Sequence, residues 1–462
     1  MASAGIEATG WKEVLGEGRF ARFALLCLGV WLNAADALMT STIMPSVARD
    51  IGGYAYFGWS IAGYILGSIV AGTSAGQFSM RFGVRRAMVV AALTYSAGCV
   101  VSAASPEIAS FLLGRLLQGV GAGWVVGLCY VAVGTMFPEH LLGRVLAAVS
   151  GVWGIATLLS PLIGGVFAEA GIWRWSFWLF AIQGGGFAAA AIWLLDRGDG
   201  ARLEEPLPIR QISVLTAGIL CIAAAGLVSD VAHALLLGFS GLSFLILFVR
   251  LDGRSRAPLL PRETSNPLST PAAGYMMIFM LSAGTISFGV YGSAIMQALH
   301  GSSPLVAGYV IGVEAMAWSL AAIAVAHAGN RWHSSLIRLG ATSIVVGVAG
   351  LALFMPHGSL ADVIACAIFL GGGFGLCWAF VTRRLLGSVG TAERAVAASA
   401  VPTMQLVGGA AGSAGAGAIA NFLGFAQGID ATTAVSGSFW LFASFVPVVA
   451  VGWLAAWRLA RL

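Results

Sequence analysis

Three ionisable side chains lie in the middle of long apolar runs of the sequence: Asp36, Arg115 and Glu314. A charged side chain at the centre of a membrane helix costs roughly 2.5–3.5 kcal/mol on insertion scales, so a residue of this kind usually serves transport or proton transfer. An opposite charge stabilises an ionised carboxylate, and protonation of the acid removes that attraction. Asp36 and Arg115 could therefore form an ion pair that opens and closes with a proton.

Polar neighbours accompany both members of this pair. Asn33 and Thr40 share a helix face with Asp36, at i−3 and i+4, and Gln118 follows Arg115 by three residues. A static pair would only fix the first helix against the fourth. Buried ion pairs are often no more stabilising than apolar replacements, which favours a coupling role. We predict that Asp36 accepts a proton from outside, releases Arg115, and re-forms the pair when it loses the proton inward.

The role of Glu314 has two interpretations: a second proton-coupling acid, or an acid that binds a cationic part of a substrate. We predict substrate contacts for four polar or aromatic side chains in the spans: Asn33, Gln118, Trp318 and Gln405. Five other acids fall in outer loops, where a solvated role is expected: Glu107, Glu169, Asp230, Asp362 and Asp430.

The composition determines what kind of elements must position these residues. The 462-residue chain is 59% hydrophobic and only 9% charged, and its mean hydropathy is +0.91. Soluble proteins carry about 25% charged residues, so the sequence indicates an all-α polytopic membrane protein. Its six cysteines form no C-x-x-C pair and have no nearby histidine, which argues against a disulfide framework and a metal site. We predict no metal and no cofactor.

Reading from one polar break to the next gives fourteen apolar runs, each near the length of about 20 residues that a spanning helix needs. The approximate cores are 20–44, 56–78, 87–105, 108–135, 142–168, 174–195, 212–229, 231–250, 272–296, 303–327, 336–355, 360–382, 395–422 and 435–457. The run 212–250 is too long for one crossing, and Ser229-Asp230 supplies a polar turn in its middle. We therefore predict fourteen transmembrane helices.

Basic residues predict the orientation, because cytoplasmic loops carry an excess of Lys and Arg. With the N-terminus inside, 21 of the 24 Lys and Arg residues lie in eight inner segments. Only Arg49 and Arg174 lie outside, and Arg115 lies within a span. We predict a multi-pass protein of the plasma (inner) membrane with both termini in the cytoplasm.

Two long hydrophilic connections, 196–211 and 250–271, bracket the seventh and eighth helices and leave six helices on either side. This spacing predicts a six-helix bundle over residues 1–196, cytoplasmic linkers with an inserted two-helix hairpin over 197–271, and a second six-helix bundle over 272–462. The 63 glycines indicate close helix packing, which in membranes depends on small residues. Such helices could also slide against one another during transport.

Four motifs occur in an order that resembles a known family. They are the loop GQFSMRFGVRR at 76–86, the segment RLLQGVGAG at 115–123, Gly154 with SPLIGG at 160–165, and RAPLL at 256–260. Together with Asp36 and Pro45 in the first helix, they resemble the fourteen-span drug:proton antiporters of the major facilitator superfamily.

The resemblance implies the major facilitator fold, in which these motifs control the conformation. The predicted gating residues are Gly76, Gly83, Arg85, Arg86, Pro161, Gly164 and Gly165. Physically, Gly76 and Gly83 permit close helix approach and a short turn, and Pro161 frees a backbone carbonyl and bends its helix. Met80 stands where the family usually has an acidic residue, so closure of the cytoplasmic side must depend on other contacts.

We therefore predict a proton-driven exporter of small amphipathic molecules that works by alternating access between two bundles. The expected partners are a small-molecule substrate, protons and the lipid bilayer, and we expect a monomer that binds no nucleic acid. Proton-coupled uptake or lipid movement is the alternative, since the fold would be the same. An enzyme is not predicted, because no cluster of His, Cys or Asp lies at a membrane face.

Overall fold

The computed structural model describes residue 16 and residues 19–196, 208–228, 230–255 and 258–462. Three features of the predicted organisation fall outside these ranges: the turn residue Ser229, Arg256 of the RAPLL segment, and the linker residues 197–207.

The described chain is all-helical, and each of the fourteen predicted runs contains a helix. The α-helices are α1 (Arg19–Ile51), α2 (Phe57–Phe82), α3 (Val84–Ala103), α4 (Ile108–Met136), α5 (Glu139–Glu169), α6 (Arg174–Leu194), α7 (Ile209–Ala225), α8 (Val231–Asp252), α9 (Thr270–His300), α10 (Pro304–Val325), α11 (His333–Phe354), α12 (Leu360–Gly387), α13 (Arg394–Phe422), α14 (Ala431–Ala443) and α15 (Val446–Leu459). Short 3-10 turns, such as Tyr54–Tyr56, join some of them.

Within the described ranges, twelve helical segments are long and apolar enough to cross a membrane, with α14 and α15 counted as one segment. Two of the fourteen predicted spans are not among these twelve. The helix α7 has 17 residues, and α13 carries a long run of glycine, alanine and serine at 408–418 that lowers its hydropathy. Length and composition of the helices thus confirm a polytopic all-α fold but not the count of fourteen.

The helices form two bundles that repeat one packing scheme. In the first bundle (α1–α6), α2 and α3 both pack on α4, and in the second (α9–α15), α10 and α11 both pack on α12. We call the side where α1 begins and α15 ends the near face, and the opposite side the far face. Arg22 at the start of α1 donates to the carbonyl of Leu194 at the end of α6, which places both of these ends at the near face.

Glycine allows the closest helix contacts in both bundles. An ideal Cβ on Gly119 of α4 would overlap the carbonyl oxygen of Tyr64 in α2, and one on Gly371 of α12 would overlap the carbonyl oxygen of Glu314 in α10. These contacts agree with the packing role expected for small residues in membrane helices. At Gly76, where the sequence also predicts a close helix approach, no described residue of another helix lies within 4 Å of the Cβ position in this conformation.

The helices α7 and α8 pack on each other, and α7 also contacts α2 and α13, one helix from each bundle. The indole Nε1 of Trp59 in α2 donates to the carbonyl of Ala223, 3.2 Å away. In α13, the amide Nδ2 of Asn421 donates both to the carbonyl of Gly226, at 3.0 Å, and to that of Ala55, at 2.8 Å. The far end of α7 is therefore bound at the boundary between the bundles.

The near end of α8 is held by a buried carboxylate. Asp252 is fully buried and accepts hydrogen bonds from the backbone amides of Leu259 and Leu260, both at 2.8 Å. These two residues belong to the connection between α8 and α9, so Asp252 fixes how the chain leaves α8 and enters the second bundle.

Four hydrogen bonds between described residues join the two bundles, and all lie at the far face. Besides the bond from Asn421 to Ala55, Ser413 Oγ donates to the carbonyl of Gly58 at 2.9 Å, and the amide of Leu305 donates to a carboxylate oxygen of Glu169 at 3.2 Å. The fourth joins Arg49 to Gln297. The bundles are therefore closed against each other at the far face in this conformation.

The position of α8 gives a topology prediction that does not depend on the orientation of the protein. In a background without native cysteines, Asp230→Cys should react with an impermeant thiol reagent from the same side as the far-face reference Glu107→Cys. The near-face reference Glu263→Cys should react only from the other side. Labelling of positions 230 and 263 from one side would show that α8 does not cross the membrane.

Candidate functional site

Asp36 of α1 and Arg115 of α4 meet in the interior of the first bundle. The guanidinium Nη1 of Arg115 lies 2.8 Å from Oδ1 of Asp36, and the side chains are 1% and 0% exposed. The structure thus joins the two charged residues that the sequence predicted to pair, although 79 positions separate them. Because both charges are removed from water, each depends on the other for its stability.

Four groups surround the guanidinium of Arg115. Nη1 also donates to Oε1 of Gln118, and Nε donates to the carbonyl of Ser60, 3.4 Å away. The guanidinium carbon lies over the ring of Tyr64, 4.4 Å from its centroid, a geometry in which the ring quadrupole attracts the cation. Arg115 is therefore held by α2 and α4 as well as by its acid.

Gln118 belongs to this cluster in the observed conformation. It is fully buried, accepts from Arg115, and donates through Nε2 to Oγ of Ser102 in α3 at 3.3 Å. Its predicted contact with substrate is therefore not open in this state. Ser102 and the position of the Tyr64 ring were not predicted from the sequence; a serine inside an apolar span is a weak signal on its own.

Only one of the two carboxylate oxygens of Asp36 has hydrogen-bond partners among the described residues. Oδ1 accepts from Arg115 and from Oγ1 of Thr40, the latter at 3.2 Å. Oδ2 is buried and has no hydrogen-bond partner among the described residues. Leaving a buried acceptor unsatisfied costs about 1–3 kcal/mol, and more for a charged group. A proton at Oδ2 would remove the charge of the acid and weaken its attraction to Arg115.

Glu314 of α10 occupies a position in the second bundle that corresponds to Tyr64 of α2 in the first. The backbone carbonyl of Glu314 contacts Gly371 of α12, just as the backbone carbonyl of Tyr64 contacts Gly119 of α4. The Glu314 side chain is half-buried, and within the described chain no hydrogen bond or ion pair reaches it. It is therefore an acid without a counter-charge among the described residues.

Aromatic rings lie one helical turn from Glu314 towards the near face. The ring of Trp318 stacks on that of Phe374, with centroids 4.7 Å apart and 9° between the planes. Trp378 tilts against the same indole at 5.2 Å. An acid beside aromatic faces is a suitable environment for an organic cation, since the charge and the ring quadrupoles both attract it.

The other two residues predicted to contact substrate are both half-buried. Asn33 lies one turn before Asp36 and accepts from the hydroxyl of Tyr64 through its backbone carbonyl, at 3.5 Å. Gln405 lies one turn before Gly409, whose Cβ position is 3.5 Å from Ile65 of α2. Gln405 is thus on the face of α13 that turns towards the first bundle.

The predicted bending motif of α5 lies where the bundles meet. The Cβ position of Gly165 is 2.6 Å from Cα of Leu305 in α10, and that of Gly164 is 3.0 Å from Met39 in α1. Pro161 packs against Gly308 of α10. A side chain larger than hydrogen at Gly165 would push the bundles apart, and one at Gly164 would push α5 away from α1.

Gly83 forms the sharp turn between α2 and α3, with φ of 77°, a conformation that favours glycine. Arg85 and Arg86 follow it at the start of α3 and line a cavity at the near face. The turn that the sequence predicted at Gly83 is therefore present in the structure.

Loop acids at the far face act as helix caps. Asp230 accepts from the amide of His233, and this hydrogen bond lowers the pKa of its carboxyl. Hydrogen bonds from the amide of Thr433 and from the hydroxyls of Thr432 and Thr433 lower the pKa of Asp430 to about 2. Both groups remain ionised at neutral pH, in agreement with the solvated role expected for them.

Comparison with known proteins gives a consistent result. The sequence model of the Major Facilitator Superfamily matches residues 26–413. A relative from Mycobacterium tuberculosis (strain H37Rv), named as a probable multidrug-efflux transporter, is 28% identical over 99% of this chain and 98% of its own.

Solved structures share the fold at low sequence identity. A peptide transporter POT in complex with sulfate has a TM-score of 0.69 at 16% identity, covering 96% of this chain and 95% of its own. A D-xylose–proton symporter has a TM-score of 0.65 at 18% identity, covering 96% and 97%.

The burial of the pair predicts a characteristic pattern of stabilities. Arg115→Ala should lower the free energy of unfolding by about 3–5 kcal/mol, because it leaves the Asp36 carboxylate buried and unpaired. Adding Asp36→Asn to that variant should restore most of the loss, since no charge then remains. Equilibrium unfolding of the wild type, both single variants and the double variant in detergent measures the coupling. Additive effects of the two substitutions would contradict a charge pair in the folded protein.

Proposed function

The chain belongs to the Major Facilitator Superfamily, and from this premise we propose that it is a proton-coupled exporter of small amphipathic molecules. The observation that carries the proposal is the fully buried pair of Asp36 and Arg115, in which Oδ2 of the acid has no partner among the described residues. The similarity to a named multidrug-efflux transporter over the full length supports the direction of transport and the class of substrate.

We also propose the topology of the fourteen-span drug:proton antiporters. The far face is then outside, both termini are in the cytoplasm of a cell whose plasma membrane holds the protein, and α7 with α8 forms a membrane hairpin. The distribution of basic residues supports this orientation. The packing of α7 on α2 and α13 supports the hairpin. The protein works as a monomer and catalyses no chemical reaction.

The far-face hydrogen bonds between the bundles then correspond to a conformation that is closed outside and open to the cytoplasm. In this state Asp36 and Arg115 are in contact. Substrate enters from the cytoplasm between the bundles, where the half-buried side chains of Asn33, Gln405 and Glu314 are available to it.

The coupling step follows from the Asp36 carboxylate. After the bundles rock and release substrate outside, a proton binds at Oδ2 and the attraction to Arg115 weakens. The freed guanidinium keeps its contacts with Gln118 and the Tyr64 ring, so it does not require an immediate new acid. After the bundles return to the cytoplasm-open conformation, Asp36 loses the proton towards the cytoplasmic side and the pair with Arg115 re-forms.

Asp36→Asn tests this proposal. The amide imitates the protonated acid, so the variant should lose gradient-driven accumulation of ethidium in energised inside-out vesicles while its ethidium affinity stays within about tenfold of the wild type. The matched control is Asp196→Asn, which neutralises an exposed acid and should export normally. Gradient-driven accumulation by Asp36→Asn at the wild-type rate would place coupling elsewhere, and gradient-driven release of ethidium from wild-type vesicles in place of accumulation would contradict export.

Glu314→Gln separates coupling from recognition. One proton contributes about 1.4 kcal/mol per pH unit, and one moved charge about 2.3 kcal/mol per 100 mV, so a second titrating acid would let the protein expel cations against the membrane potential. If Glu314 is such an acid, Glu314→Gln should stop ethidium transport and spare a neutral dye such as Nile red.

If Glu314 only binds the cation, Glu314→Gln should weaken ethidium binding and leave the number of protons released per neutral dye unchanged. Dye flux and proton release are measured together in proteoliposomes, with the exposed Glu107→Gln as control. Unchanged transport and binding of both dyes would remove both roles from Glu314.

A further inference from the structure

A cavity of about 670 Å³ lies at the near ends of α2, α3 and α6, away from the ion pair and from the boundary between the bundles. Arg85 and Arg86 provide its charged lining. Its apolar lining includes Phe78, Phe82, Val90 and Ile192. The cavity thus combines two positive charges with a hydrocarbon wall.

The two arginines are not neutralised by any acid among the described residues. Neither makes an ion pair or a side-chain hydrogen bond with any part of the chain that the structure describes. The neighbouring Arg81 differs, because its guanidinium lies over the ring of Phe82, 5.4 Å from the centroid. Met80 is 45% exposed at the end of α2 and stands where an acid could have neutralised the loop. The positive charge of the cavity is therefore available to a ligand.

The walls of the cavity continue into surface that faces hydrocarbon. Val90 and Ile192 are exposed by 46% and 43%, and the next residue, Trp193, is 84% exposed. Large apolar side chains on the outer surface of a membrane bundle contact lipid tails, and tryptophan favours the level of the head groups. A ligand in this cavity can therefore place an anionic group inside and extend apolar chains outward along α3 and α6.

A similar basic cavity at the near face of the second bundle lacks these properties. It has a volume of about 300 Å³ and is lined by Asn330, His333, Phe380, Arg383 and Arg384. There Arg384 already donates to the carbonyl of Leu459 at 2.7 Å and to Ser334 Oγ at 3.4 Å. The combination of a large volume with two arginines that lack partners in the described chain distinguishes the cavity of the first bundle.

We propose that the first-bundle cavity binds the head group of an anionic phospholipid from the near-face leaflet. Arg85 and Arg86 contact the phosphate, because guanidinium groups match the geometry of phosphate oxygens. The glycerol fills the remaining volume, and the acyl chains lie along Val90 and Ile192. Basic cavities between membrane helices are suited to such head groups. This site is independent of the direction of transport and of the proposed coupling.

Native mass spectrometry of the full chain in detergent tests the proposal with phosphatidylglycerol and phosphatidylcholine as probes. Each arginine near an anionic lipid contributes about fivefold to binding, so the wild type should bind one phosphatidylglycerol about thirtyfold more tightly than phosphatidylcholine. The Arg85→Gln/Arg86→Gln variant should bind both lipids equally. Arg262→Gln, which removes an exposed near-face charge outside the cavity, should retain the preference.

Two further measurements distinguish binding in the cavity from misfolding of the double Gln variant and from binding elsewhere on the protein. The Arg85→Lys/Arg86→Lys variant keeps both charges and should retain most of the preference, which a general loss of folding would not allow. Phosphatidylglycerol with a photoreactive acyl chain should label peptides that contain Val90 or Ile192. Equal affinity of the wild type for the two lipids, preserved preference in the double Gln variant, or displacement of the lipid by equimolar inorganic phosphate would each overturn the proposal.

Discussion

The structure depends on one constraint: two opposite charges are held in an interior from which water and bulk solvent are excluded. Asp36 and Arg115 can remain there only while they touch, and they touch only because α1, α2 and α4 approach closely. Gly119 makes part of that approach possible by admitting the backbone of Tyr64, whose ring then covers the guanidinium. A proton on the acid changes the balance of this whole arrangement, because it removes one of the two charges. The close packing of α2 on α4 and the proposed chemistry thus both involve this pair.

The boundary between the bundles has the opposite character. It includes close packing at small residues, such as Gly165 against Leu305, and four hydrogen bonds between described residues. Two of these four involve a charged side chain, Glu169 or Arg49. Such a surface closes tightly but contributes little energy that opening must overcome, since a typical hydrogen bond contributes about 0.5–1.5 kcal/mol net. The helix α7 contacts both sides of this boundary through Trp59 and Asn421. Movement of the bundles must therefore involve α7 as well.

Much of the fold and part of the site could be predicted from the sequence, for a physical reason. A charge in an apolar run is so costly that Asp36, Arg115 and Glu314 stand out individually. Two opposite charges in such runs are expected to contact each other, which predicts the pair of Asp36 and Arg115. The number of spans could not be predicted in the same way. The 17-residue α7 is close to the shortest length that crosses a membrane, and the glycine-rich α13 is close to the lowest hydropathy expected of a membrane helix. The burial of Gln118 against Ser102 and the open space at Gly76 depend on how helices rotate about their axes. Spacing along one helix does not determine that rotation.

The central claim is that Asp36 exchanges a proton during transport. Infrared difference spectroscopy of the protein in lipid bilayers observes this directly, because a protonated carboxyl group absorbs apart from a carboxylate. On a step from neutral to acidic pH, we expect the wild-type spectrum to contain a protonated-carboxyl component that substrate addition reverses, that Glu314→Gln keeps and that Asp36→Asn lacks. An Asp36→Asn spectrum that keeps every substrate-sensitive component of the wild type would contradict proton exchange at Asp36.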